Sequence, residues 1–362
     1  MLKRLNVALV FNMKKDDESR SVWNERVKYE IIPDGATEQY EKMSADTYAE
    51  WDTEETILAV KAALEERHKV SLIEANKHAY HQFLQMNPDI VFNIAEGLAG
   101  ASREAQIPSI LEMLQIPYTG SDPLTLAICL DKSRTKEILS YYNIPTPTFF
   151  VAKSPIELAQ HQTSFPLIVK PLYEGSSKGI YNSSVVLNEN ELRTEVDRIL
   201  TNYDQPALIE QFLTGREFTV AMIGNSPSVQ VLPIIELRFD SLPSNVNPIY
   251  SYEAKWIWDT VDNPIDVHEC PAKIGTNLQN QIESVCRKAF EILRCRDWCR
   301  IDVRLDENGI PNILELNPLP GILPNPEEHS CFPLAARTAG MDYSEMINSV
   351  LGVAIKRYGI ES

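Results

Sequence analysis

The chain has 362 residues, enough for two or three domains and a substantial core, and 44% apolar with 23% charged residues is an ordinary globular composition. A formal net charge of −17 argues against nucleic acid or an anionic membrane as the main partner. No apolar run reaches the ~18–20 residues of a membrane span, and the six cysteines show no metal-ligand spacing, so reduced thiols in a cytoplasmic protein are expected.

In chain order, Asn6 to Phe11 reads as a buried strand. The segment from Met13 to Ala49 is polar and longer than an ordinary connection, which makes it functional or an insertion. Asp52 with Glu55 reads as a capping box for a helix bearing Ile57, Val60 and Leu64. A strand at Val70–Ile73, a helix at His78–Met86 and a strand at Asp89–Ile94 continue a β-α-β alternation. That alternation implies an open parallel sheet, which gathers ligands at the carboxyl ends of its strands, where Asn93, Glu96 and Gly97 fall. Glu104–Leu114 and Leu130–Tyr142 read as helices, and the Pro-rich run after Asn143 is a breaker.

An apolar strand at Phe165–Lys170 leads into Glu174-Gly175-Ser176-Ser177-Lys178-Gly179. Such a loop of small residues can turn backbone N–H groups and hydroxyls toward phosphate oxygens, although a Gly-Ser turn alone is only a turn. It is not a Walker A loop, whose Gly-Lys-Ser/Thr opens a helix. Further strands are expected at Ala207–Leu213, Arg216–Met222 and Val229–Glu236, the last at an edge because of Pro233. Apolar periodicity marks helices over 278–293 and 346–355, the second capped by Asp342 with Glu345.

Between those helices lies a hairpin signal, Asn308-Gly309. A two-residue turn there sets Asp302 opposite Glu315 and Arg300 opposite Asn317 on one face, with Ile301, Val303, Leu314 and Leu316 on the other. Facing carboxylates about 4.5–5.5 Å apart at Cβ destabilise a sheet unless something compensates them. A hard divalent cation, Mg²⁺ above all, does so, with Asn317 as a third oxygen; a solvated polar face is the plainer reading of the pair alone.

Phosphate loop, Lys132, Lys170, the carboxylate pair and Arg300 together are the equipment of phosphoryl transfer from a nucleotide. From about residue 87 onward the chain resembles the D-alanine–D-alanine ligase branch of the ATP-grasp superfamily. The matching stretches include Ile116–Ser121, Asp131-Lys132, Val169-Lys170-Pro171, Glu174–Ser177, Arg216–Val220, Tyr252–Lys255, Cys270-Pro271-Ala272, Arg300-Ile301-Asp302 and Glu315-Leu316-Asn317 with Pro320-Gly321.

The resemblance implies an α/β protein: an N-terminal open parallel sheet domain (1–127), then a two-lobed ATP-grasp domain with a small lobe (128–212) and a large lobe (213–362). It implies an acyl-phosphate route to an amide or peptide bond, using ATP and two Mg²⁺ ions, with Mn²⁺ possible, on amino-acid-like substrates. Homodimerisation is a further implication. Carried onto this sequence, Lys132, Lys170, Ser176 and Ser177 meet phosphates, and Glu210, Gln211, Phe212 and Leu213 hold adenine. Glu217 holds ribose, Lys255 reaches the transferred phosphate, and Asp302, Glu315 and Asn317 bind metal. Arg300 and Gly321 stabilise the tetrahedral intermediate with Ser176 nearby, and His329-Ser330 grips the second substrate.

The departures cluster at the first-substrate end. The Gly-rich segment whose glutamate holds the first ammonium has no counterpart in Val10–Lys15. Ala95-Glu96-Gly97 replaces a His-Gly motif, Arg103-Glu104-Ala105 a Glu-Asp-Gly run, Trp256 a tyrosine and Lys178 an apolar residue. Extra residues separate Pro320-Gly321 from His329. Glu96, Lys178, Trp256, His329 and Ser330 are therefore the expected substrate residues, and the expectation is a carboxylate–amine ligase with an altered first-substrate pocket. An authentic D-alanine–D-alanine ligase and a non-catalytic nucleotide-binding regulator are the alternatives. A retaining glycosidase fits the basic residues and amide beside the carboxylates poorly.

Overall fold

The computed structural model describes residues 4–14, 50–240, 242, 246–253, 267–328 and 330–361. The first unit alternates β1 (Asn6–Phe11), α1 (Glu54–Glu65), β2 (Lys69–Glu74), α2 (Ala79–Met86) and β3 (Ile90–Asn93). Its strands form a parallel sheet in the order β2-β1-β3, and Tyr118 adds a parallel bridge to Val91 beyond β3. Continuous apolar runs suit strands covered on both faces, and β3 is buried throughout. The helix α1 is capped by Thr53, whose side chain accepts from Thr56 N, and not by Asp52 as its sequence suggested.

Three helices follow: α3 (Gln106–Leu114), α4 (Pro123–Leu130) and α5 (Lys132–Tyr141). The single helical run expected from Leu130 is broken at Asp131, whose backbone is extended and whose carboxylate accepts from Ser133 N and Arg134 N at 3.0 and 3.2 Å. Asp131 therefore ends α4 and N-caps α5, which fixes where Lys132 emerges.

Next comes a four-stranded antiparallel sheet, β4 (Phe149–Ala152), β5 (Leu167–Pro171), β6 (Val185–Val186) and β7 (Ala207–Gln211) in the order β4-β7-β5-β6, backed by α6 (Glu189–Tyr203). A third sheet collects β8 (Glu217–Ile223), β9 (Gln230–Val231), β10 (Ile235–Leu237) and β11 (His268–Glu269). Beyond α7 (Thr276–Ile292) it is completed by β12 (Trp298–Leu305) and β13 (Pro311–Asn317). The strand expected over Val229–Glu236 is two short ones, both on β8 and separated around Pro233, which has no N–H to give a ladder.

The chain ends with α8 (Cys331–Thr338) and α9 (Tyr343–Tyr358). The last helix returns to the first unit: Val350, Leu351 and Ala354 share a core with Ile57, Val60 and Leu64 of α1, and Asn348 donates to Ala63 O at 2.8 Å. Arg357 bonds Asp297, and Asp297 also accepts from Gly120 N and Asn225 Nδ2, each at 2.9 Å. One fully buried carboxylate thus ties together the region after β3, the β8 turn and the C-terminal helix. All six cysteines are free, and no described helix is long and apolar enough to cross a membrane.

Candidate active site

The hairpin β12–β13 pairs Asp302 with Glu315 and Arg300 with Asn317, as the turn rule required, but by another route. Only Gly309 of the dipeptide has positive φ (76°), and Gly309 N donates to Asp306 O while Asp306 N donates to Ile310 O. That is a three-residue loop closed by a left-handed glycine, so next to it Leu305 pairs with Pro311 and Val303 with Ile313. An irregularity between Asp302 and Val303 then takes up one extra residue on β13, and the two departures cancel. The extra residue decides the faces. Ile313 enters the core, whereas Leu314, expected there, lines the cleft beside Glu315.

On that face Arg300 lies along Asp302, at 2.9 and 3.2 Å, with Glu315 3.8 Å away. Thr219 of β8 donates to Asp302, and Asn317 Nδ2 lies 3.2 Å from Asp302 and 3.5 Å from Glu315. Burial opposes the charge on Glu315, but Lys132, Arg300 and Lys170 overcome it and hold its carboxyl at about 2. Asp302 moves the other way, raised by burial against the pull of Arg300.

Opposite stands the loop after β5. Ser176 and Ser177 both take positive φ (50° and 59°), and Ser177 Oγ donates to Tyr250 O at 2.8 Å. Lys132 donates to Glu174 O and lies 3.5 Å from Glu315, so it spans loop and hairpin. Lys170 pairs with Glu210, and Glu210 also takes Lys136 at 2.8 Å, a pair about 1% exposed on both sides. Lys136 carries no sequence signal, because a buried lysine interrupts the apolar pattern as an exposed one does. Despite burial, Lys136 and Lys170 pull the Glu210 carboxyl below its usual range.

An apolar compartment formed by Ile168, Phe212, Leu213, Leu237, Ile249 and Leu314 adjoins the loop. Gln211 borders it, and Glu217 is held there by Arg304 at 2.7 Å. The whole cleft has a volume of about 430 Å³ and also takes in Lys170, Ser176, Ser177, Arg300, Gly321 and Ser330. Ser330 donates to Gly321 O at 3.1 Å, which ties the two expected substrate-binding segments together. Lys178 does not line the cleft and is not a solvated lysine; it pairs with Glu174 at 2.9 Å, with its side chain largely buried. Lys255, Trp256 and His329, like most of the Met13–Ala49 segment, lie outside the described residues.

Sequence reasoning missed the wall between the first unit and the loop. Glu50 takes both its oxygens to Arg103 Nη2 (2.9 and 2.7 Å) and accepts from Gly175 N at 2.7 Å. Arg103 donates to Tyr173 O at 2.7 Å. Behind this wall a second cavity, about 60 Å³, is bordered by Glu96, Glu104, Lys132, Arg300, Glu315, Asn317 and Gly321. Glu50 adjoins the undescribed segment and has no motif around it, so its partners were not readable.

Two carboxylates and an amide on one face, with lysines and a loop of small residues opposite, define an ATP-grasp arrangement. Among the described residues no cluster of three or more His, Cys, Asp or Glu side chains is placed to hold a metal alone. Asp302, Glu315 and Asn317 nevertheless fit Mg²⁺, which keeps phosphate and water oxygens as its remaining ligands.

The family model described as D-ala D-ala ligase C-terminus matches residues 139–352. The chain is 33% identical to a D-alanine–D-alanine ligase of Pelotomaculum thermopropionicum, over 75% of this chain and 82% of the relative. It is 37% identical to the uncharacterized protein y4sG of Sinorhizobium fredii, over 83% and 87%. The fold is that of a Bacillus anthracis D-alanine–D-alanine ligase complexed with ATP, with a TM-score of 0.66 at 19% identity, covering 99% of this chain and 100% of that one. An Enterococcus faecalis VanG D-Ala:D-Ser ligase superposes with a TM-score of 0.66 at 19% identity, over 97% and 100%. The chain belongs to the D-alanine–D-alanine ligase family of ATP-grasp proteins, whose enzymes are ATP-dependent and form C–N bonds.

Proposed function

We propose that this protein is an ATP- and Mg²⁺-dependent carboxylate–amine ligase whose first substrate differs from that of D-alanine–D-alanine ligase. The observation that carries the reading is the shared face of Arg300, Asp302, Glu315 and Asn317, turned toward Lys132 and the 174–177 loop. Asp302, Glu315 and Asn317 would hold the metal, which supplies charge neutralisation for the triphosphate. Lys132 and Lys170 meet the phosphates, while the Phe212–Leu213 compartment takes the base and Glu217 the ribose.

A substrate carboxylate oxygen attacks the γ-phosphorus, the bond to the ADP oxygen breaks, and an acyl phosphate forms. An amine then attacks the acyl carbon; inorganic phosphate leaves with the C–O bonding electrons, and the nitrogen loses its proton. Arg300 faces the negative charge that builds on the acyl oxygen, as does the backbone at Gly321. The altered substrate end is supported by Glu96, Arg103 and Glu104, which stand where the family pattern has other residues.

The test is ADP release from Mg-ATP across D- and L-amino acids, singly and in pairs, with products weighed by mass spectrometry. A dipeptide or amide other than D-alanyl-D-alanine is expected. D-alanyl-D-alanine as the main product overturns the substrate reading, and nucleotide binding without ADP release from any acid overturns the ligase reading.

A further inference from the structure

The loop after β5 holds a backbone that its own residues do not favour. Ser176 and Ser177 are successive non-glycine residues at positive φ (50° and 59°), a strain that persists only where the surroundings fix it. On the side of its own sheet, Gln205 brackets the loop, accepting from Tyr173 N at 2.7 Å and donating to Glu174 Oε1 at 2.8 Å. A second hold crosses from the first unit.

That hold is a chain of alternating charges, Lys178–Glu174–Arg103–Glu50. Lys178 lies 2.9 Å from Glu174 Oε2, Arg103 lies 3.5 Å from the same oxygen, and Arg103 lies 2.7 Å from Glu50. The four side chains are between 6% and 12% exposed, and two cations meet two carboxylates, so the chain is balanced without a ligand. Burial opposes the charge on Arg103, but Glu50 and then Glu174 hold its guanidinium above the usual range. The chain also grips backbone on both sides of Glu174: Arg103 donates to Tyr173 O and Glu50 accepts from Gly175 N, each at 2.7 Å. A Cβ on residue 175 would stand 2.6 Å from Glu50 Oε1, so this grip needs a glycine there. Arg103 and Lys178 both depart from the family pattern, which has an acid and an apolar residue in their places, and one ion chain accounts for both.

Resting on the reading of this loop as the cover of the ATP phosphates, we propose that Arg103 and Lys178 are positioning residues that fasten the loop onto the first unit, so that nucleotide enters and leaves only when their ion chain opens. Neither side chain lines the cleft or the smaller cavity, so their effect passes through the loop and not through contact with a ligand. Ser176 and Ser177 line the cleft directly beyond the gripped residues. Lys132 donates to Glu174 O, so the same grip sets the place of the loop hydroxyls relative to a phosphate-binding lysine.

The experiment uses the full chain and the Mg²⁺ complex of N-methylanthraniloyl ADP, whose dissociation is timed by stopped-flow fluorescence. Hydrogen exchange of the 172–180 peptide is followed alongside. Its amides, Gly175 among them, are expected to be protected before any nucleotide is added. Arg103→Gln, checked for fold by circular dichroism, should remove that protection while leaving α1 and α9 as they are. It should also speed nucleotide release by about 10-fold, and Arg103→Lys should restore part of both. Lys178→Gln probes the other end of the chain with less burial at stake. Because both residues act through Glu174, the double substitution should speed release by less than the product of the two separate effects. Unchanged release in both variants, effects that multiply, exchange that quickens throughout the first unit, or no binding of the nucleotide overturns the proposal. The ligase reading fails separately: no acid elicits ADP release from Mg-ATP, although the ion chain still governs nucleotide dissociation.

Discussion

Asp302 stands opposite Glu315 even though the turn joining their strands is one residue longer than Asn308-Gly309 implies, because β13 absorbs an extra residue at Leu314. The consequence is chemical as well as geometric. The bulge leaves the carboxylate pair in place and presents a leucine beside it, on the cleft side and not in the core.

Leu314→Ala should therefore raise the KM for ATP while leaving kcat nearly constant. Removing a half-buried apolar contact is worth on the order of 1 kcal/mol, about 5-fold. Steady-state kinetics check it: an equal fall in kcat means that the bulge positions the carboxylates and not the base.

Gly309 belongs to the turn and not to the chemistry. A Cβ there meets nothing within 4 Å, so Gly309→Ala should cost only the strain of φ at 76°, about 1–2 kcal/mol. Urea unfolding should show the loss, with activity per folded molecule unaltered.

Glu315→Gln should lower turnover by about 100-fold or more with the fold intact, because a neutral amide is a poor ligand for a hard cation and frees Lys132 from its pair. Mg²⁺ titration of ADP release should move to higher concentration in any residual activity. Wild-type turnover in this variant removes the metal assignment.

Glu210 lies between Lys136 and Lys170, and Glu210→Gln leaves two buried ammoniums without the carboxylate they share, a loss of about 3–5 kcal/mol. The pH dependence follows in sign. The folded carboxyl sits below 4.5, so its contribution is complete above that value and is lost as the pH falls through the folded value. Denaturant midpoints measured from pH 7 downward should fall more steeply below 4.5 in the wild type than in the variant.

Asp297→Ala should release the C-terminal helix. Arg357 loses its carboxylate partner, and Gly120 N and Asn225 Nδ2 lose their acceptor in a fully buried place, a cost of about 3–5 kcal/mol. Hydrogen exchange should quicken in α9 together with α1, which packs against it.

Much of the architecture was legible because its signals are local. β1 over Asn6–Phe11, α7 with its apolar stripe and the Asp342–Glu345 capping box each depend on residues within a turn or two of one another. The misreadings are local too. At Thr53 and Asp131 a neighbouring hydroxyl or carboxylate competed for the cap, and at Pro233 one missing donor divided a strand.

The sequence by itself pointed to the hairpin that brings Arg300, Asp302, Glu315 and Asn317 to one face, and the pairing holds because the extra residue in β13 offsets the longer turn. Only the tertiary structure decided what surrounds that face. Lys136 meets Glu210 across 74 residues of chain, and Glu50 meets Gly175 across 125. The C-terminal helix closes on a helix that began at Glu54. Such contacts depend on how the sheets pack, and no periodicity along the chain encodes which buried charges will lie a few ångströms apart. The half of the site proposed to bind the nucleotide was therefore written in motifs, while the cavity bordered by Glu96 and Glu104 emerged only when the first sheet's loops were folded against the hairpin.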